Sequence, residues 1–70
     1  MEIFAKRLRE LREERHLSRE TAAAAVGIVP RTYQRYEKDE RDATGPVLVA
    51  LADFYDVSTD YLLGRSDQRK

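Results

Sequence analysis

Residues 30–38 carry Arg31, Gln34, Arg35 and Lys38, four long side chains rich in hydrogen-bond donors. At about 100° per residue, with Arg31 at zero, Gln34, Arg35 and Lys38 fall at about 300°, 40° and 340°, inside one arc of about 100°. Tyr33 and Tyr36 fall at about 200° and 140°, on the opposite side. A helix here has an aromatic back that can anchor it and a front of donors. A guanidinium can bond both O6 and N7 of guanine, a glutamine amide can pair with N6 and N7 of adenine, and the methyl of Thr32 can meet that of thymine. The chemistry on offer is therefore the reading of base edges in a major groove. The plainer readings are surface solubility for Arg31 and Arg35, and a groove-facing position without base contact for Gln34 and Thr32. Tyr33 and Tyr36 read as core or wall, not as stacking platforms.

The preceding residues must position that helix. Ser18 reads as an N-cap whose hydroxyl accepts from the Thr21 N–H. Ala22 to Ala25 and Val26 form helix readily and, being small, permit close approach of a neighbour. Gly27 stops that helix by taking positive φ at no steric cost, and Pro30 suits the first turn of the next. A Ser start, a Gly stop and a Pro restart spell a helix-turn-helix, the motif that presents its second helix to the major groove.

Around this unit the pattern stays helical. Phe4, Leu8 and Leu11 recur at intervals of four and three residues, predicting a helix over residues 3–15, with Lys6–Glu10 and Arg9–Glu13 as i,i+4 pairs on its solvated face. His16, a residue type that tolerates left-handed backbone, falls where this helix must stop. Thr44 is a candidate cap for a fourth helix over residues 45–56, whose Val47, Leu48, Leu51, Phe54 and Tyr55 share one side. Ser58 caps a short fifth helix over residues 59–63, closed by Gly64. Residues 65–70 contain no apolar side chain and are expected to form a flexible tail after a 1–64 domain. No stretch alternates as a strand does, so the fold class is all-α, a compact bundle of five helices.

Seventy residues make one small domain, burying roughly 60% of its unfolded surface, with no room for a deep catalytic cavity. The absence of cysteine rules out a disulfide framework or a thiolate metal site. No apolar run approaches the ~18 residues of a membrane span, and Met1-Glu-Ile-Phe lacks the basic start of a signal peptide, so the expected location is cytoplasmic. Thirteen basic residues balance thirteen acidic ones, whereas many nucleic-acid binders are basic overall. The distribution is uneven: residues 1–41 hold ten Lys/Arg against eight Asp/Glu, residues 42–70 three against five. From Thr21 to Tyr36 there are two arginines and no acid.

Leu8-x-x-Leu11-Arg12, Leu17-Ser18, Ala23-x-x-Val26-Gly27-Ile28, Tyr33-x-x-Tyr36-Glu37 and the run Leu51-Ala-Asp-Phe-Tyr-Asp-Val-Ser-Thr-Asp-Tyr-Leu-Leu-Gly64 together resemble the phage-repressor and Cro-type (Xre-type) helix-turn-helix family. The resemblance runs from about Phe4 to Gly64. It implies a five-helix domain that binds double-stranded operator DNA as a two-fold dimer on a palindromic site, most often as a transcriptional repressor. Its second helix would lie across the sugar-phosphate backbone and its third would enter the major groove. Carried over to this chain, the base-edge positions are Pro30, Arg31, Thr32, Gln34 and Arg35. Arg19, which opens the second helix, would contact phosphate or an outer base, and Lys38 and Arg41 would touch the backbone. Glu37 is expected to pair with a basic residue of the domain. No cofactor, metal or small-molecule substrate is implied.

The chain departs from the family pattern in ways that remove contacts. Pro30 cannot donate a hydrogen bond, and Val29 occupies an N-cap position usually held by Ser or Thr, a cap worth ~1 kcal/mol. Ala24 and Ala25 replace long polar side chains, Asp39 stands where glycine is frequent, and Asp39, Glu40 and Asp42 surround Lys38 and Arg41. These changes, with the neutral net charge, keep a rival open: a protein-interaction module on the same fold, such as an antitoxin, anti-repressor or helper. The donor face of residues 31–38 favours DNA, because a partner-binding helix would more often expose an aromatic or aliphatic anchor. Catalysis is not expected. His16 has no assigned partner, Ser18 and Ser58 are explained as caps, and Asp53, Asp56 and Asp60 form no metal-binding cluster.

Overall fold

A computed structural model describes all 70 residues. Five helices follow in order, α1 (Glu2–Glu14), α2 (Arg19–Ala25), α3 (Pro30–Glu37), α4 (Gly45–Tyr55) and α5 (Thr59–Leu62), without a strand. The predicted helices are all present, with ends that differ by a residue or so. Ser18 and Ser58 cap as their types require, each Oγ accepting from the N–H three residues on at 3.0 Å. Thr44 stands at the N-cap of α4, but its side chain makes no capping bond.

All five helices end by one device. A residue with φ between 55° and 77° follows the last turn: His16, Gly27, Asp39, Asp56 and Gly64. Its N–H donates three residues back, and the next N–H donates five residues back, as in Leu17 to Arg12 O, Ile28 to Ala23 O, Glu40 to Arg35 O, Val57 to Ala52 O and Arg65 to Asp60 O. This paired bond satisfies carbonyls that a helix end would otherwise leave unpartnered. Only two of the five positions are glycine. His and Asp serve at the others because short polar side chains tolerate the left-handed region better than branched ones.

The core lies where these helices meet. Phe4, Leu8 and Leu11 of α1 pack with Ala22 and Ala23 of α2, Tyr33 and Tyr36 of α3, Leu51, Ala52 and Tyr55 of α4, and Leu62 of α5. The small alanines let α2 lie close to its neighbours. Leu17 and Ile28, placed just past two helix ends, turn inward against the same cluster, and Val57 joins it. The deeply buried hydroxyls of Tyr33 and Tyr55 require partners, and they satisfy each other at 2.6 Å. Burial pushes both hydroxyls above their ordinary range, so the pair stays protonated. Arg15 donates to the Phe54 and Tyr55 carbonyls at 2.9 Å each, closing the end of α4 with a cation.

The pairs Lys6–Glu10 and Arg9–Glu13 expected along α1 do not form. The ion pairs are long-range instead, because the arginines of α1 reach carbonyls and carboxylates that tertiary packing brings near: Arg7 to Asp67 at 2.9 Å and Arg12 to Glu37 at 2.7 Å. Residues 65–70 contain no helix and run back beside α1, where Arg7 donates to Ser66 O at 2.7 Å and Arg69 pairs with Glu14 at 2.6 Å.

Candidate nucleic-acid interface

The α2–α3 connection is built from the glycine outward. Gly27 has φ 75°, and the bonds from Gly27 N to Ala24 O (3.3 Å) and Ile28 N to Ala23 O (3.0 Å) reverse the chain. Val29 is extended, with φ −75° and ψ 148°, and Pro30 starts α3 without needing an N–H. The four-residue connection, Val26 to Val29, fixes how α3 leaves α2.

On α3 the sequence-derived division of faces holds. Tyr33 and Tyr36 are buried, while Arg31, Arg35 and Lys38 are exposed, as is Pro30. Gln34, placed by spacing on the donor arc, is half-buried, and Thr32 on its flank is too. Neither Arg31, Arg35, Lys38 nor Arg41 enters an ion pair within the domain. Their charges remain unspent on the fold, which suits cations that meet an external anion.

Glu37 is the hinge of the electrostatics. Its side chain is 2% exposed, and it accepts from Arg12 Nε at 2.7 Å and Arg12 Nη2 at 3.1 Å. Arg12, 11% exposed, spends its third donor on Leu17 O at 2.9 Å, so one guanidinium ties α1, the α1–α2 turn and α3 together. The hydrogen bond to Glu37 raises the Arg12 pKa further, opposing the cost of burial. A third donor comes from Arg19, whose Nε approaches the same carboxylate at 3.3 Å while the side chain stays 43% exposed. Thus the pairing expected of Glu37 is present, but with two partners. Arg19, which the resemblance assigns to phosphate or an outer base, has its Nε bonded to Glu37 of α3 and its side chain 43% exposed. Nothing in sequence spacing signals that second partner, because Arg19 and Glu37 lie 18 residues apart.

Beyond α3 the loop acids have their own partner. Asp39 and Asp42 each accept from the N-terminal ammonium at 2.7 Å. These hydrogen bonds, Asp39 first, raise the pKa of the amine. Lys38 and Arg41 therefore stand beside two exposed carboxylates that share one ammonium, and beside Glu40, which enters no ion pair.

The larger of two surface depressions lies between α1 and the end of α3 and is lined by charged side chains, with Ala5 its one apolar residue. No group of three His, Cys, Asp or Glu side chains is close enough to hold a metal ion. No helix is long and apolar enough to cross a membrane.

This geometry defines a helix-turn-helix unit, α2 and α3, supported by three flanking helices. Residues 8–62 match the family model described as helix-turn-helix, and the chain belongs to that family. It is 40% identical over 65 residues to the uncharacterised HTH-type transcriptional regulator YobD of Bacillus subtilis, covering 93% of this chain and 58% of YobD. It is 34% identical over 65 residues to the cryptic phage CTXphi transcriptional repressor RstR of Vibrio cholerae, covering 93% of this chain and 59% of RstR. The chain thus spans just over half the length of these relatives. Among solved structures it is similar to the restriction-modification controller protein C.AhdI of Aeromonas hydrophila, with TM-score 0.80, 31% identity and coverage of 87% of this chain and 92% of that one.

Proposed function

We propose that this chain is a sequence-specific double-stranded-DNA-binding domain of a cytoplasmic transcriptional repressor, with α3 in the major groove. The observation that carries this reading is the exposed, unpaired Arg31 and Arg35 on the face of α3 opposite two buried tyrosines. In this role Arg31 and Arg35 bond guanine O6 and N7, Gln34 and Thr32 flank them, and Pro30 leads the helix into the groove. Arg19, Lys38 and Arg41 engage phosphates and hold the register. The domain, residues 1–64, acts as a homodimer on a palindromic operator, with the two α3 helices ~34–36 Å apart. The half-exposed Val49 and the partly buried Phe54 and Leu63 leave apolar surface on the α4–α5 side for such pairing. No catalytic step is assigned. The rival reading as a protein-interaction module drew on the neutral net charge and the acidic loop, against which stands the exposed, unpaired donor face of α3.

Equilibrium binding tests the reading. Arg31→Ala or Arg35→Ala should cost ~1–3 kcal/mol on the preferred site and relax the preference at one base pair. Equal loss on preferred and random duplexes would reject base reading by that residue.

A further inference from the structure

The most exposed large apolar side chain of the domain stands at the start of α3. Val29 is 62% exposed, whereas the others, Met1, Ile3 and Val49, lie on α1 or α4, outside the helix-turn-helix. Two local rules are broken at this point. The N-cap of α3 lacks the side-chain acceptor that Ser, Thr, Asp or Asn would supply, and a branched aliphatic group faces water. Pro30, next in the chain, is also exposed, and it cannot donate a backbone hydrogen bond. Pro30 suits the helix start, but the Val29 side chain serves neither the core nor the cap, so folding leaves the choice of valine there unexplained. Local rules broken without a folding benefit point to function.

Their position supplies the function. Val29 and Pro30 directly precede Arg31 and lie at the end of α3 that enters a groove first. The one apolar group that a base pair presents in the major groove is the C5 methyl of thymine. We infer that Val29 and Pro30 form an apolar contact for a thymine methyl beside the guanine read by Arg31 or Arg35. This rests on the major-groove reading of α3 proposed above. The departures that leave α3 without a side-chain cap at Val29 and without a polar reader at Pro30 thereby become a specificity element.

The test removes the methyl from the DNA, leaving the protein intact. Sites are first enriched from random duplexes by the wild-type chain. Each thymine is then replaced singly by 2′-deoxyuridine, and by 5-bromo-2′-deoxyuridine, whose bromine fills the methyl volume. One thymine per half-site, next to a guanine, should show about a fourfold loss on replacement by uracil, the effect of burying one methyl group. The bromo base should restore the affinity. Val29→Ser, which supplies the missing cap and so leaves the fold intact, should abolish the uracil effect at that thymine only. Enriched sites in which every thymine tolerates uracil, or an unchanged uracil effect in Val29→Ser, would overturn the inference and leave groove reading standing. Failure to enrich any sequence would overturn both.

Discussion

Two arginines share the carboxylate of Glu37, and they should separate cleanly when removed one at a time. Arg12→Ala strands a carboxylate that is 2% exposed, with only the longer 3.3 Å contact to Arg19 remaining, and also frees Leu17 O. Breaking a buried pair in this way costs about 3–5 kcal/mol. A 70-residue domain has roughly 4–10 kcal/mol of stability in total, so Arg12→Ala should lose much of it. Arg19→Ala leaves both Arg12–Glu37 bonds at 2.7 and 3.1 Å and removes a side chain 43% exposed. Its cost should be about 0–1 kcal/mol after solvent screening. Urea unfolding followed by circular dichroism at 222 nm measures both. In DNA binding the order should reverse in kind: folded Arg19→Ala should bind all sequences more weakly and flatten the dependence of log K on log salt by about one phosphate contact. Equal destabilisation by the two substitutions would refute the assignment of Arg12 to the fold. An unchanged salt slope in Arg19→Ala would refute the assignment of Arg19 to phosphate.

Other expectations follow from helix ends and buried hydroxyls. Gly27→Ala and Gly64→Ala both force a side chain into positive φ, at ~1–2 kcal/mol. A Cβ at Gly64 would also come within 2.5 Å of Ile3 Cγ2, whereas at Gly27 it meets nothing, so Gly64→Ala should unfold at lower urea, and the opposite order would refute this. Asp39→Asn keeps a residue type suited to φ 59° and removes a negative charge beside Lys38. At roughly 7 Å from a phosphate in water that charge is worth about threefold in affinity, so the variant should bind DNA more tightly at low salt, an advantage fading at high salt. Unfolded tyrosine ionises near 10, and burial raises Tyr33 and Tyr55, so their stabilisation is intact below about pH 10 and is lost as pH climbs toward the folded values. Absorbance at 295 nm should therefore show at least two tyrosines ionising only as helical circular dichroism disappears.

The helices and the donor face of α3 were legible because both rest on local spacing. Apolar residues at intervals of three and four name the buried side of α1, and two tyrosines opposite four polar residues name the front of α3. Helix ends were legible where the stopping residue was Gly27, Gly64 or His16. Asp56 gave no such signal, and Asp39 was noticed only as a departure, because aspartate is common at many kinds of position. The Arg12–Glu37–Arg19 arrangement joins three helices, so no local spacing announces it. Val29 was visible only as a missing cap, since exposure of a valine depends on what packs over it. Residue types thus marked the surface of α3, while packing decided which of its charges are free.

Selection of bound sequences from random duplex DNA at stated salt, by the wild-type chain, addresses the central claim most directly. Enrichment of a palindrome with guanine in each half-site and half-site centres about 10 base pairs apart is the expected result. Recovery of unenriched sequence, or of a site without two-fold symmetry, would contradict the reading of α3 as the recognition helix of a dimeric operator-binding domain.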